Sequence, residues 1–587
     1  MVPHRFPPRT VGILVLLAAA WIGVSFLVGN SYYLLLMTLV PIWALLGVSW
    51  NIFSGYSGLV SFGHAAFFGI GAYTVALSLS QFGLTPWFGI PLGAVFGGLA
   101  GAAIGWPTFR LRGTYFALAM LAYPLMLVYL FGWLGYQEVS IPLHREAPLW
   151  FMQFSNQRAY VSIAVGLLLA GLFVSLAVEN ARFGLSLAAL KQNELAAEAA
   201  GIDTRLWKMR AMVISGAIAA AAGGFYAIVL LVVTPSSVFG LVVSAQAMII
   251  VLFGGAGVFW GPLIGAVVLV PLGETLQAEL GGLLPGIQGV IYGIAVIAII
   301  LIAPEGLYWR LHDMRRRDVV RPKQAAPHSQ HAAANAERGK PDATLLSVEK
   351  ISKSFGGVQA VQDVTFSVRA NEILGIIGPN GAGKTTLFNL LNGVVTPSAG
   401  LVRLGDKNIA GMAPNRVARA GIARTFQVVR AFPRMTVLEN VVVGAYARHK
   451  RDADAWQAAS AAVAQVGLSA WAAVPAGALT SRELRLMELA RALAGSPSLL
   501  LLDEPLAGLG AGDTAELIDV VRQLPARGVT VVIIEHTMHA MLDLVDRFVV
   551  LDQGRLLTEG PPAEVMRRPA VIEAYLGRKW AVADAAA

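Results

Sequence analysis

Three short runs in the second half of this 587-residue chain place side chains at spacings that suit chemistry on phosphates. The first, Glu372–Val394, reads EILGIIGPNGAGKTTLFNLLNGV. It fits G-x-x-x-x-G-K-[ST] through Gly378, Pro379, Asn380, Gly381, Ala382, Gly383, Lys384 and Thr385, with Thr386 next. Glycines let backbone N–H groups close around phosphate oxygens, and the N-terminus of a following helix favours negative charge. Lys384 would then reach the β- and γ-phosphates of a nucleotide, and the Thr385 hydroxyl suits Mg2+. The second run, SLLLLDEP, ends an apolar strand on Asp503 and Glu504. Asp503 there suits Mg2+ ligation, and Glu504 beside it suits polarisation of an attacking water. The third, VTVVIIEHT, ends another strand on Glu535 and His536, where an imidazole can sense a γ-phosphate. The chemistry implied is binding and hydrolysis of ATP with Mg2+, with Lys384, Glu504 and His536 as expected catalytic residues.

These runs demand a particular scaffold. Each lies at the end of a continuous apolar stretch of strand length, which is the pattern of a strand buried on both faces of a parallel sheet. The C-terminal part is therefore expected to be an α/β domain. It does not account for the whole chain. The protein is 56% hydrophobic and only 13% charged, against about 25% charged in ordinary soluble domains. The charge is also uneven: residues 1–309 hold 20 Asp, Glu, Lys and Arg, and the other 278 residues hold 59. None lies between Thr10 and Phe109.

A bilayer core about 30 Å thick is crossed by ~20 apolar helical residues. Candidate spans lie near 11–29, 33–53, 60–80, 86–106, 114–134, 159–178, 211–233 and 285–303. The longer stretch 238–271 is broken by GGAGVFWGP and divides into two short spans, making about ten. The first stretch, behind Arg5 and Arg9, continues past Ala18–Ala20 without a polar cleavage region and is read as a retained span. Arg5, Arg9, Arg110, Arg112 and the basic 179–210 loop mark one side of the membrane as the inner one. His64 is the only side chain of the uncharged stretch that ordinarily titrates near neutral pH. It has two readings, a packed and hydrogen-bonded histidine or a substrate contact. Glu274 and Glu279 are expected in a solvated outer loop.

The absence of cysteine excludes disulfides, thiolate catalysis and Cys-ligated zinc. The net charge of +9 follows from inner-side Lys and Arg, and no basic segment interleaved with aromatics points to nucleic acid. The loop Ala181–Lys208 reads ARFGLSLAALKQNELAAEAAGIDTRLWK. A helix is expected over Ala188–Ala200, stopped by Gly201, either as a docking element or as a solvated connection. Residues 312–342 lack apolar periodicity and read as a tether, with Arg315–Arg317 at the membrane lipid surface. The expected domains are a transmembrane domain over 1–311, the tether over 312–342, and the nucleotide domain over 343–587.

Three segments of the first half, in order, resemble permease subunits of branched-chain amino acid ABC importers. They are WNIFSGYSGLVSFGHAAFFGIGAY (Trp50–Tyr73), the Ala181–Lys208 loop and VLFGGAGVFWGPLIGA (Val251–Ala266). In that family the loop carries a coupling helix that contacts the ATPase. The resemblance therefore implies a docking role for Glu194, Glu198 and Gly201.

The second half, from Leu345 to about Leu576, is similar to ABC ATPase subunits through its phosphate loop, RTFQ, SLLLLDEP and VIIEH. Its opening LLSVEKISKSFGGVQAVQDVTFSV and its ending VIEAYLG resemble the branched-chain amino acid importer branch. By that resemblance Gln427 contacts Mg2+ and answers to the permease. Glu504 is the general base, His536 the switch histidine, and Phe355 stacks on adenine. One motif departs. Where the branch has LSGGQ or LSYGQ, this chain has Leu479, Thr480, Ser481, Arg482 and Glu483. Arg482 brings bulk to a glycine position, and Glu483 brings negative charge near phosphates.

The fold expected is thus multi-domain, a polytopic helical membrane domain of about ten spans followed by a P-loop ABC ATPase domain. Its expected place is the cytoplasmic (inner) membrane, with the ATPase in the cytoplasm. Family partners would be a second permease, a second ABC ATPase and an extracytoplasmic substrate-binding protein. Two other readings are an exporter half-transporter and a non-enzymatic channel or sensor with an ATPase remnant. The long uncharged stretch opposes the first. Lys384, Asp503, Glu504 and His536 oppose the second.

Overall fold

The computed structural model describes residues 6–111, 113–144, 146–280, 287–302, 306–310 and 343–576. Arg5, Arg112 and the expected tether 312–342 with Arg315–Arg317 lie outside the described residues. Two compact units emerge. One holds the membrane helices. The other holds the two larger sheets together with Gln192–Asp203, a segment that lies between membrane helices in the sequence.

In the membrane unit the helices are α1 (Pro8–Leu27), α2 (Ser31–Trp50), α3 (His64–Phe82), α4 (Pro86–Thr108), α5 (Thr114–Trp133), α6 (Gln157–Glu179), α7 (Arg182–Gln192), α8 (Glu194–Ala199), α9 (Thr204–Leu230), α10 (Leu241–Gly254), α11 (Gly261–Leu280) and α12 (Ile287–Ile302). The short α8 falls in the other unit. Among the described residues nine helical spans are long and apolar enough to cross a bilayer, counting Pro235–Gly254 as one. The helix α12 adds 16 largely apolar residues. The stretch 238–271 is divided as its glycines require, by the turn between Gly254 and Gly261. Glu274 and Glu279 sit in the last turns of α11, not in a loop, because Glu, Leu, Gln and Ala are all good helix formers.

Close packing of small residues organises this unit. The central helix α9 lies against α3 and α4. A Cβ on Gly97 would stand 2.4 Å from the Gly216 carbonyl oxygen, and one on Gly223 would stand 1.9 Å from that of Phe68. Backbones this close gain dispersion energy that lipid cannot replace. At the end of α2 the helix loosens into a π-helical turn, Asn51–Gly55.

His64 is fully buried. Its Nδ1 lies 3.0 Å from Ser61 Oγ and its Nε2 lies 2.8 Å from Ser215 Oγ. Ser215 spends its hydroxyl proton on the Ser49 carbonyl at 2.7 Å. The Nε2 must therefore donate, and Nδ1 accepts from Ser61. Both ring nitrogens are satisfied by protein, the packed reading of this residue.

In the second unit the strands are β1 (Thr344–Phe355), β2 (Val358–Arg369), β3 (Ile373–Ile377), β4 (Ala399–Leu404), β5 (Ile422–Arg424), β6 (Leu499–Asp503), β7 (Thr530–Ile534), β8 (Arg547–Asp552) and β9 (Arg555–Gly560). The main sheet runs β9-β8-β3-β7-β6-β5, parallel except at the β9–β8 edge. An antiparallel sheet, β2-β1-β4 with Lys407–Asn408, completes it. Every residue of β3, β6 and β7 is buried, as continuous apolar runs require. The pairings Ile534↔Asp503 and Ile534↔Ile376 align the carboxyl ends of the three strands. Ligands of open α/β sheets bind at that edge.

Candidate functional site

The strand β3 runs directly into the phosphate-loop sequence. The loop turns on Gly378, Gly381 and Gly383, and Gly383 adopts a φ of 96°. A Cβ at Gly383 would also meet the Ala360 carbonyl at 2.4 Å. Only glycine suits that position. Lys384 opens the helix α13 (Lys384–Leu391), and its ammonium folds back into the loop. It donates to the carbonyls of Gly378 at 2.7 Å and Pro379 at 2.9 Å. Burial pulls its pKa below the ordinary lysine value, with Glu504 and Asp503 pulling the other way. Pro379 is half-buried, and Asn380, Gly381 and Thr385 are exposed. The next residue, Thr386, is half-buried, and Ala382 is buried.

Register places the acids beside this loop. Asp503 ends β6 and is 2% exposed. Its Oδ2 accepts from Arg424 at 2.8 Å, while its Oδ1 is buried without a hydrogen-bond partner among the described residues. Arg424 also donates to Asn389 Oδ1, on α13, at 2.6 Å. Glu504 takes a left-handed backbone, φ 47°, and its amide donates to the Ile534 carbonyl at 2.9 Å. Its carboxylate is held from two sides, by Gln427 Nε2 at 2.8 Å and by His536 Nε2 at 3.0 Å. Lys384, Asp503, Glu504, Gln427 and His536 are thereby gathered at one sheet edge.

The unpartnered Asp503 oxygen, the Thr385 hydroxyl and the Gln427 carboxamide form a hard-oxygen donor set of the kind Mg2+ accepts. These residues fit that ion. When bound, it would neutralise charge on the β- and γ-phosphates. Phe355 ends β1 and is 47% exposed, and Lys353 Nζ sits 5.1 Å from its ring centre. The chain returns from it along β2, whose Ala360 touches the phosphate loop.

The altered motif forms its own closed cluster. Thr480 caps α14 (Ser481–Leu493), and its amide donates to Glu483 Oε2 at 2.8 Å in a reciprocal capping box. The Glu483 carboxylate is 2% exposed. Arg482 donates to Glu516 and lies 3.6 Å from Asp513, both on α15 (Ala511–Arg522). Burial opposes its charge, yet Glu516, Glu483 and Asp513 outweigh burial and raise its pKa. Among the described residues, the polar side-chain partners of Thr480, Arg482 and Glu483 are one another, Glu516 and Asp513.

Several contributors are missed by motif reading. Arg485 donates to the carbonyls of Phe426 at 2.9 Å and Gln427 at 2.7 Å, and Arg491 donates to that of Arg430 at 2.7 Å. The helix α14 therefore holds the Phe426–Arg430 segment through two buried arginines. Their only signal in the sequence is arginine on the apolar face of an amphipathic helix. Arg424 has none of its own: it closes the short strand β5, and only the sheet brings it to Asp503.

The segment Gln192–Asp203 packs within this unit. One continuous helix is expected there, but Asn193 breaks it: its side chain accepts from the Ala196 amide and caps α8. Gly201 stops the helix with φ 88°. Its carbonyl accepts from Arg419 at 3.1 Å. Asn193 accepts from Arg430 at 3.3 Å, and Gln192 accepts from the Arg434 amide at 3.1 Å. Glu194 is exposed and Glu198 half-buried. Ala196, Ala199 and Ala200 line a small cavity with Ala418, Ala447 and Gly495.

Both halves of the chain have relatives of known family. Residues 32–303 match the family model described as branched-chain amino acid transport system / permease component. Residues 361–507 match that of ABC transporters, and 555–581 that of branched-chain amino acid ATP-binding cassette transporters. The high-affinity branched-chain amino acid transport ATP-binding protein BraF of Pseudomonas aeruginosa is 37% identical over 250 residues, 40% of this chain and 98% of BraF. LivG of Escherichia coli, of the same description, is 37% identical over 249 residues, 40% of this chain and 98% of LivG. A solved nucleotide-free ATP-binding cassette from an ABC transporter shares 31% identity over 40% of this chain and 100% of its own, with a TM-score of 0.37. The chain belongs to the branched-chain amino acid ABC transporter family, and it carries the permease component and the ATP-binding component in one polypeptide.

Proposed function

We propose that this chain is a fused permease–ATPase subunit of an ABC importer that takes up branched-chain amino acids or related small polar solutes. The permease would occupy 1–311, the tether 312–342 and the ATPase 343–587. It would sit in the cytoplasmic (inner) membrane with its ATPase in the cytoplasm. Gly378–Thr386 would bind the phosphates of ATP, and Phe355 would stack on the adenine. Thr385, Gln427 and Asp503 would hold Mg2+. Glu504 would take the proton of the attacking water, with His536 beside it. Lys384 would leave its loop carbonyls for the γ-phosphate, recovering the charge that burial disfavours. Glu194, Glu198 and Gly201 would belong to the coupling segment.

The Thr480–Glu483 cluster argues for asymmetry. In this family each ATP lies between one subunit's phosphate loop and its partner's signature. Here a capping box already engages the Thr480 and Glu483 amides, and the Glu483 carboxylate offsets the helix field that would favour a phosphate. The site this chain completes for a partner would turn over poorly. The site built on Lys384 and Glu504 would use the partner's signature. A distinct second ATPase follows, together with a second permease and an extracytoplasmic substrate-binding protein.

The observation that carries this reading is the meeting of Lys384, Asp503, Glu504, Gln427 and His536 in a chain that also holds the permease. The test is reconstitution of the complex, with its neighbouring-gene partners, in liposomes. ATP-dependent uptake of labelled leucine, isoleucine or valine is expected, and Glu504→Gln should abolish it. A thermal shift of the binding protein by these amino acids checks the solute independently. Failure of all three overturns the branched-chain assignment. ATP-driven uptake of another small polar solute would keep the importer, and its absence for all overturns that too.

A further inference from the structure

The residue before the coupling segment is Lys191, the last of the membrane unit's first stretch. Its ammonium donates to the Gly55 carbonyl at 2.8 Å, inside the π-helical turn that ends α2. Its stem lies along Gly58, where an added Cβ would stand 2.8 Å from Lys191 Cγ and 3.6 Å from its Cα. Its Nζ lies 3.0 Å from where a Cβ of Gly257 would be. Lys191 thus threads between two glycines that belong to different segments of the permease.

Those segments are already joined by one amide. Asn51, fully buried, donates to the Val258 carbonyl at 2.9 Å and accepts from the Gly257 amide at 2.8 Å. A Cβ on Gly55 would fall 1.9 Å from Asn51 Oδ1 and 2.9 Å from the Gly257 nitrogen. Asn51, Gly55, Gly58 and Gly257 form a knot with no room for larger side chains, and Lys191, itself exposed, bonds into it at the Gly55 carbonyl. π-turns occur mostly as single turns inside α-helices and frequently at functional sites. Gln192, one residue later, is bonded in the other unit to the Arg434 amide. A pull on the coupling segment passes through the 191–192 peptide to a side chain anchored in this knot.

We propose that Lys191 is the positioning residue that delivers displacement of the coupling segment to the Asn51–Gly58 turn and the Gly257 loop. The proposal rests on the importer reading for its meaning, but its test does not depend on the solute. Hydrogen exchange is measured by mass spectrometry on the intact complex, with and without ATP and vanadate. In the wild type, nucleotide should change exchange in peptides covering 51–58 and 254–258. Lys191→Ala and Lys191→Met should lose that change while keeping the change at the phosphate loop. Lys191→Arg, which retains a donor, should restore it. Gly58→Ala should mimic Lys191→Ala by displacing the stem. In liposomes Lys191→Ala, Lys191→Met and Gly58→Ala should hydrolyse ATP at the wild-type rate with loss of uptake, and Lys191→Arg should keep uptake. An unaltered exchange response at 51–58 in both Lys191→Ala and Gly58→Ala overturns the proposal. Lack of ATP-driven uptake by the wild type, with the exchange pattern as expected, overturns the importer reading alone.

Discussion

The Arg482 guanidinium donates through Nε to Glu516 at 2.8 Å, binding the most divergent residue of the signature to the helix that follows the acidic strand. The side chain that would crowd a partner's phosphate is thereby turned onto its own domain, beside Asp513. Returning the motif to its family form, by Thr480→Ser, Arg482→Gly and Glu483→Gln together, should reopen the helix N-terminus. On the proposed asymmetric pairing, ATP turnover of the complex should then rise by about twofold, from one competent site to two. Steady-state ATPase rates of the reconstituted complex check this, and an unchanged rate would show that the native motif is already competent.

Removal of Arg424 should be costly out of proportion to its place beyond the motif core. It neutralises Asp503 and ties β6 to α13 through Asn389. Arg424→Met leaves a buried carboxylate unpaired, a loss on the order of 3–5 kcal/mol. Arg424→Lys should recover little, because one ammonium cannot span both partners. Thermal unfolding followed at the ATPase unit should show the drop without nucleotide present.

Glu504→Gln should separate binding from chemistry. The amide can still meet Gln427 and His536, so nucleotide affinity should persist. Loss of the general base should lower turnover by about 10²–10⁴-fold. Equilibrium binding of a fluorescent ATP analogue and single-turnover hydrolysis measure the two quantities separately.

The position of Lys384 predicts an alkaline limit on binding. Its pKa in the free protein lies below the ordinary lysine value because it is buried. A bound triphosphate favours the charged form, so binding is coupled to keeping that proton. Affinity should hold below the free-protein pKa and fall as pH rises through it, by up to about tenfold per pH unit. Lys384→Arg, if it binds, should be flat over the same range. Nucleotide titrations between neutral and alkaline pH decide it.

Gly201→Ala should disturb docking of the coupling segment. The residue has φ 88°, and a Cβ there would stand 2.7 Å from that of Ala447. Backbone strain alone costs about 1–2 kcal/mol, before the clash. Uptake should fall sharply while nucleotide binding at the Lys384 site is kept, which paired transport and binding assays would reveal.

The sequence by itself determined the division between lipid and water, the phosphate loop and the strands that lead into Asp503, Glu504 and His536. All of these are local patterns. A run of apolar residues or a spaced set of glycines dictates its own backbone and its own solvent, whatever surrounds it. The two spans within 238–271 were legible for the same reason, since glycine-rich backbone breaks a helix wherever it occurs. Only the tertiary structure decided which charges meet. Nothing in the spacing pairs Arg424 with Asp503, Arg482 with Glu516, or Lys191 with the Gly55 carbonyl. Such pairs depend on strand register and helix packing across many residues. His64 shows the same limit. Its type made it a suspect, and only the placement of Ser61 and Ser215 around the ring assigned it to the structural interior.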